Sequence, residues 1–249
     1  MKYLKQTFLI LLFSTLIFSC SGKDKDEKTS AEIAYTKAAK LLKEKSYNEA
    51  ADAFEKIDAE FPFSKWAAKG QTMAVYARYK EEDYAKLLQV ADDFLRLNPS
   101  SEYVTYMLYM KGLSYYNQIP SIERAQDSTQ QASYIFRELI ARYPGSDYSQ
   151  DASERVKFVD EHLAGAKMSI GRYQIRTQNY VGAIDNFREV IARYRQTNQV
   201  PEAYFRLTEI YYKIGLKEEG RKSSNQLKSK YPKNDWTVLV TKIDSEFGK

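Results

Sequence analysis

Reactive side chains are almost missing from this sequence of 249 residues, which holds one cysteine, Cys20, and one histidine, His162. A lone thiol rules out an intrachain disulfide, and a lone imidazole rules out the usual histidine-based metal sites. No GxGxxG, no phosphate-loop GKS/T and no GxSxG occurs, so the familiar signatures of nucleotide-dependent and nucleophilic enzymes are absent. Runs of acids such as Glu81-Glu82-Asp83 and Asp92-Asp93 read more simply as solvated helix ends and faces. His162 reads as a surface or boundary residue of a long amphipathic helix. No enzyme activity and no cofactor are expected on these grounds.

Charge of one sign is lacking too. The formal net charge is +5, and two of the basic residues, Lys2 and Lys5, fall in a leader. Elsewhere positive and negative residues are interspersed, which leaves no nucleic-acid footprint. Long apolar runs are limited to 8–18, interrupted by Ser14 and Thr15. At about 1.5 Å per residue this run covers roughly half of a bilayer core. With Lys2 and Lys5 ahead of it, the run reads as a secretion signal over 1–19 rather than a membrane span. It ends Leu16-Ile17-Phe18-Ser19-Cys20, which resembles a bacterial lipobox, where the cysteine takes a diacylglycerol and becomes the first mature residue. Cys20 is therefore the expected lipidation site. Residues 20–30, charged and poor in apolar side chains, are the expected flexible tether.

What the chain does have is a proline that returns at one phase: Pro62, Pro99, Pro144 and Pro232. Proline lacks an amide donor and clashes with the preceding turn, so each one stops a helix. Two residues later stands Ser64, Ser101, Ser146 or Asn234, each able to cap the next helix. Fifteen residues before each proline a second helix is expected to start, at Tyr47, Tyr84, Thr129 and Lys217, with core positions three and seven residues in: Ala50/Phe54, Leu87/Ala91, Ala132/Phe136 and Gly220/Ser224. Tyr180-Ala183-Phe187 repeats the spacing without a proline; there Thr197 holds the capping phase and Pro201 predicts a late helix start. This is the tetratricopeptide phase.

The fold expected is all-α, a tetratricopeptide-type right-handed superhelix of about five hairpins, 31–61, 64–98, 101–143, 146–194 and 197–230, plus a C-terminal helix over 234–247. Residues 117–128, with Pro120, read as a loop within the third hairpin, and the first helix of the fourth is lengthened to about 149–176. Ala38, Gly112 and Gly171 share one first-helix position, where helices are expected to approach closely. The abundant aromatics, Tyr 21, Phe 12 and Trp 2, read mostly as packing between helices.

Several segments resemble the BamD (YfiO-type) family of outer-membrane assembly lipoproteins. They are Phe61-Pro62-Phe63-Ser64 with Val75-Tyr76-Ala77-Arg78-Tyr79-Lys80, then Phe94-Leu95-Arg96-Leu97-Asn98-Pro99 leading into Tyr106-Met107-Leu108-Tyr109-Met110-Lys111-Gly112-Leu113, and Arg142-Tyr143-Pro144-Gly145-Ser146-Asp147-Tyr148. The resemblance spans nearly the whole mature chain and is weakest after about Tyr194. It implies a scaffold lipid-anchored to the periplasmic side of the outer membrane. It also implies N-terminal repeats (31–145) that receive the C-terminal targeting strand of unfolded outer-membrane proteins. C-terminal repeats (146–249) would dock on a BamA-type barrel subunit, with other assembly-complex lipoproteins as further partners.

In the repeat phase, a peptide-binding groove would be lined by Lys69, Thr72, Tyr76, Tyr79 and Lys80, then by Tyr106, Tyr109, Leu113, Tyr116 and Asn117, with Phe63 and Trp66 at its entrance. Tyrosines with lysines suit an aromatic peptide and its terminal carboxylate. The matching face of the fourth hairpin carries Arg172 and Arg176, and Arg188 follows; these are the candidate partner-binding residues. Two other readings stand beside this one: a generic repeat lipoprotein of envelope or peptidoglycan upkeep, and a lipoprotein hydrolase of unknown type.

Overall fold

A computed structural model describes residues 23–247, so the leader and Cys20 lie outside the described residues. Among the described residues there are eleven helices and no strand. The first hairpin is α1 (Lys23–Lys43) with α2 (Tyr47–Glu60), and the second α3 (Lys65–Lys80) with α4 (Tyr84–Leu97). The third pairs α5 (Val104–Tyr116) with α6 (Asp127–Arg142), and the fourth α7 (Asp147–Arg176) with α8 (Tyr180–Arg193). α9 (Val200–Lys213) and α10 (Lys217–Lys230) make the fifth, and α11 (Asp235–Phe247) follows. The all-α, hairpin-by-hairpin architecture is thus the expected one.

Each proline stop is coupled to a restart. Ser64 Oγ accepts from the Ala67 amide at 3.2 Å, and Ser101 Oγ from Tyr103 at 3.3 Å. Ser146 Oγ accepts from Tyr148 at 3.2 Å, and Asn234 Oδ1 from Trp236 at 3.0 Å. Thr197 behaves differently: its hydroxyl donates back to the Tyr194 carbonyl at 2.8 Å, and α9 starts late with Pro201 in its first turn. The amides there are served from outside, since Glu161 of α7 accepts from the Asn198 amide at 2.9 Å and the Gln199 side chain at 2.7 Å.

The turns inside the hairpins repeat as well. Lys45, Glu82, Gln178 and Gly215 have φ of 63°, 60°, 60° and 82°. The amide after each bonds the carbonyl five residues back: Ser46 to Leu41 at 3.0 Å, Asp83 to Arg78 at 3.0 Å, Asn179 to Gln174 at 2.8 Å, and Leu216 to Tyr211 at 2.8 Å. This left-handed ending satisfies the last carbonyls of the first helix and turns the chain into the second. Only one of the four positions is glycine, the residue that adopts this backbone without a steric penalty.

α1 begins at Lys23, so its first turns occupy most of the stretch expected as a tether.

The chain divides into two compact units, up to Met110 and from Lys111. In the first, Ala38, Ala50, Ala51, Ala74 and Ala77 surround Phe54 and Ile57, all buried. These small residues let α1, α2 and α3 close on one another. Arg78 is buried at 1% exposure among them. Its guanidinium donates to Glu55 at 2.9 Å, Asn48 at 2.6 Å and Asp52 at 2.5 Å, all on one face of α2. Burial pulls its pKa down, but the hydrogen bonds it donates to Glu55 and Asp52 outweigh that and hold it above the ordinary value.

In the second unit the glycines at the predicted phase are close-approach sites. A Cβ on Gly112 would lie 2.4 Å from the Phe136 ring, and one on Gly171 would lie 2.6 Å from the Phe187 ring. α11 is clasped by Asp244, whose carboxylate accepts from Tyr212 at 2.6 Å and from Ser224 and Lys228 at 2.5 Å each.

Candidate protein-binding surfaces

The cap on Ser64 fixes the direction of the first turns of α3 and so places Trp66 and Lys69 together. The Trp66 ring packs against Tyr35 of α1 with centroids 4.8 Å apart, and Tyr35 lies 5.3 Å from Phe54. The Lys69 ammonium sits 5.0 Å from the Tyr35 ring and 5.2 Å from Trp66, with Lys65 also 5.2 Å from Trp66. The indole N–H of Trp66 is buried and has no hydrogen-bond partner. Burial, helped by Tyr103, pushes the Tyr35 phenol up, so it stays a neutral donor. Phe63, in the turn just before, is wholly exposed at 101%. Two cations over an aromatic pair, an unused donor and a bare phenyl ring suit an apolar, aromatic segment that carries a carboxylate.

Tyr35 did not figure among the sequence candidates. It stands three residues before Ala38, as Tyr109 stands before Gly112, so the small-residue phase was the signal that pointed to it.

The other groove candidates are distributed more widely. Tyr76 is exposed, whereas Tyr79 is half-buried with its ring edge-on to Tyr84 at 6.3 Å. The Lys80 ammonium lies 6.0 Å from the Tyr47 ring of α2. Tyr106 and Tyr109 are half-buried on α5. Thr72 is buried and donates to the Lys69 carbonyl at 2.7 Å. Tyr116 belongs to the second unit, where its ring packs on Phe136 at 6.2 Å and Phe158 at 5.5 Å, with Arg155 5.0 Å away. That is a packing role.

Of the candidate arginines, Arg172 is committed to Glu202 at 3.1 Å, a carboxylate that Arg206 also holds at 3.1 Å. Arg176 and Arg188 are exposed and lie over the rings of Tyr173 and Tyr211, each at 5.8 Å. His162 is half-buried and stacked on Phe158 at 6.0 Å, away from any acid cluster that could hold a metal among the described residues.

A succession of helical hairpins whose conspicuous surfaces are aromatic and basic defines a helical-repeat binding protein. Comparison with known proteins narrows that class. The family described as "YfiO: Outer membrane lipoprotein" matches residues 26–227. The "Outer membrane protein assembly factor BamD" of Caulobacter vibrioides is 34% identical over 97% of this chain and 81% of its own length. The protein of the same description from Rickettsia prowazekii is 31% identical over 95% of both chains. A solved tetratricopeptide protein from Thermus thermophilus, 16% identical over 85% of this chain and 97% of its own with a TM-score of 0.41, is too distant to add to the fold read above. The chain belongs to the YfiO, or BamD, family of outer membrane lipoproteins.

Proposed function

We propose that this chain is a non-enzymatic scaffold for the assembly of outer-membrane proteins, lipid-anchored through Cys20 on the periplasmic side of the outer membrane. Family membership and full-length likeness to proteins described as assembly factors support this reading. The first unit receives the aromatic, carboxylate-bearing end of an unfolded outer-membrane protein. The observation that carries this assignment is the Tyr35–Trp66–Lys69 cluster with its buried, unpartnered indole N–H, preceded in the chain by the bare ring of Phe63. The second unit docks on a BamA-type barrel subunit through Arg176 and Arg188. Arg172 supports that face from within, because its charge is already matched by Glu202.

The test is titration of a synthetic barrel-type C-terminal peptide into the mature protein, followed by Trp66 fluorescence with Trp66→Phe as the reference for Trp236. Phe63→Ala with Lys69→Glu is expected to weaken binding roughly tenfold at unchanged helical content, and amidating the peptide's carboxylate to weaken it similarly. Unaltered affinity in both experiments removes the assignment. For the second unit, Arg176→Glu with Arg188→Glu is expected to reduce co-purification of the barrel subunit.

A further inference from the structure

The connection 117–126 is the main departure from a regular hairpin in the second unit, and it is built rather than loose. The Gln126 side-chain amide donates to the carbonyls of Ser121 and Arg124, both at 2.9 Å, and its oxygen accepts from Thr129 at 2.8 Å. Ile122 rests over Gly165 of α7, where an added Cβ would lie 3.7 Å from its Cγ2. So held, the connection forms the end wall of a trough of about 660 Å³. Its floor is Leu163, Ala166 and Ile170 of α7, with α6 on one side and the end of α8 on the other.

The lining is amphipathic. Tyr134 is 66% and Ile170 is 46% exposed, while Leu163 lies buried beneath. Two carboxylates face it, and both are occupied: Arg137 grips both oxygens of Asp160, at 2.6 and 2.7 Å, and Glu189 is shared by Lys167 at 2.8 Å and Arg193 at 3.0 Å. Arg124 on the wall has no carboxylate partner among the described residues. The four cations therefore outnumber the two anions, and the surplus is positive beside open apolar surface.

We infer that this trough is a second polypeptide-binding site, distinct from the first-unit aromatic cluster and from the Arg176/Arg188 face. Its occupant is a short segment of another protein that carries an acidic residue next to a large apolar one. The carboxylate answers the surplus at Arg124 and Arg193, and the apolar side chain covers Ile170 beside Tyr134. The acidic group also completes Glu189's neighbourhood, where two cations compete for one anion.

The experiment places the photoreactive residue benzoylphenylalanine at Ile170 of the full-length protein in its native membranes, with the same probe at Ile214 as reference. The expected result is a crosslink at Ile170 to a segment with Asp or Glu beside a large apolar residue. Arg124→Glu with Arg193→Glu should lower that yield roughly tenfold and leave the Ile214 yield unchanged; Arg124→Gln with Arg193→Gln serves if the reversal perturbs folding. An undiminished yield in these variants overturns the inference. So does a crosslinked segment without a carboxylate, attachment only to lipid or to a second copy of the chain, or no crosslink at Ile170. None of these outcomes bears on the first-unit cluster, whose peptide titration is separate.

Discussion

Gly112→Ala is the sharpest perturbation of the repeat geometry, because it adds one carbon where α5 meets α6. That carbon would fall 2.4, 2.6 and 3.1 Å from three atoms of the Phe136 ring. Carbon atoms settle at about 3.5–4.0 Å, so the ring must retreat by roughly 1 Å. It has nowhere to go, since Phe136 is 0% exposed. Overpacking of this kind costs about 1–3 kcal/mol, and contacts this short belong near the upper end. Alanine recovers about 1 kcal/mol through its better helix propensity. The net loss is then about 1–2 kcal/mol, which lowers the melting temperature by a few degrees, roughly 3–6 °C. Gly145→Ala is the matched control, with nothing within 4 Å of its added carbon, and should melt at or slightly above the parent. Trimming the ring supplies the decisive comparison: Phe136→Leu destabilises alone but relieves the clash in the double variant, giving a coupling of about 1 kcal/mol or more. Thermal melts by circular dichroism read the four variants against the parent. If Gly112→Ala melts with the parent, or the two changes simply add, the close approach is not what glycine is there for.

Four further perturbations follow. Arg78→Met strands Asp52 and Glu55, but their exposures of 52% and 33% let water solvate them, so the expected loss is about 1–2 kcal/mol rather than that of a sealed ion pair; Arg78→Lys should rescue little of it by denaturant titration, since lysine lacks the fork. Gly215→Ala forces a Cβ into a left-handed turn at φ 82° and should cost about 1 kcal/mol, whereas Glu82→Gly, at φ 60°, should be neutral or stabilising. Burial raises the Asp244 carboxyl, but the bonds from Lys228, Ser224 and Tyr212 prevail and hold it below its usual range; its contribution is therefore full above the unfolded value and fades as pH falls through the lower folded one, and Asp244→Asn should differ from the parent at neutral pH and converge with it in acid. Burial and the Asp244 bond push the Tyr212 phenol up to about 12 from 10, so stability should decline as pH rises over that interval, a decline that Tyr212→Phe flattens in alkaline melts.

Helix boundaries were legible because their causes are local. Proline at 62, 99, 144 and 232 stops a helix whatever surrounds it, and a serine or asparagine two residues on restarts it with its own side chain. The long α7, the late start of α9 and the packing of Gly112 and Gly171 were legible through phase. The left-handed residues Lys45, Glu82 and Gln178 were not, because no glycine or asparagine marks them; closure of the hairpin imposes that backbone. Arg78 was equally hidden. An arginine reads as solvated until Asn48, Asp52 and Glu55, one stripe of α2, are brought against it. At the candidate site, phase located the face of α3 but not Tyr35, which reaches it from α1. It also merged Tyr116 with the groove, although that ring is spent on Phe136 and Phe158.

The two ends of α3 explain why the cluster around Trp66 suits a ligand. Its C-terminal end is tied to α2 by Arg78, and its start is set by the Ser64 cap. Between them Gly70 brings the helix so near α2 that an added Cβ would lie 3.1 Å from the Phe54 carbonyl oxygen. A helix fixed at three points carries Trp66 and Lys69 in one arrangement before anything binds. Their backbone positions are then set in advance, so on the proposed reading less ordering is left for a bound segment to impose. The buried indole N–H, a donor without a partner, costs the free protein stability, and on the proposed reading an acceptor on the bound segment would relieve it.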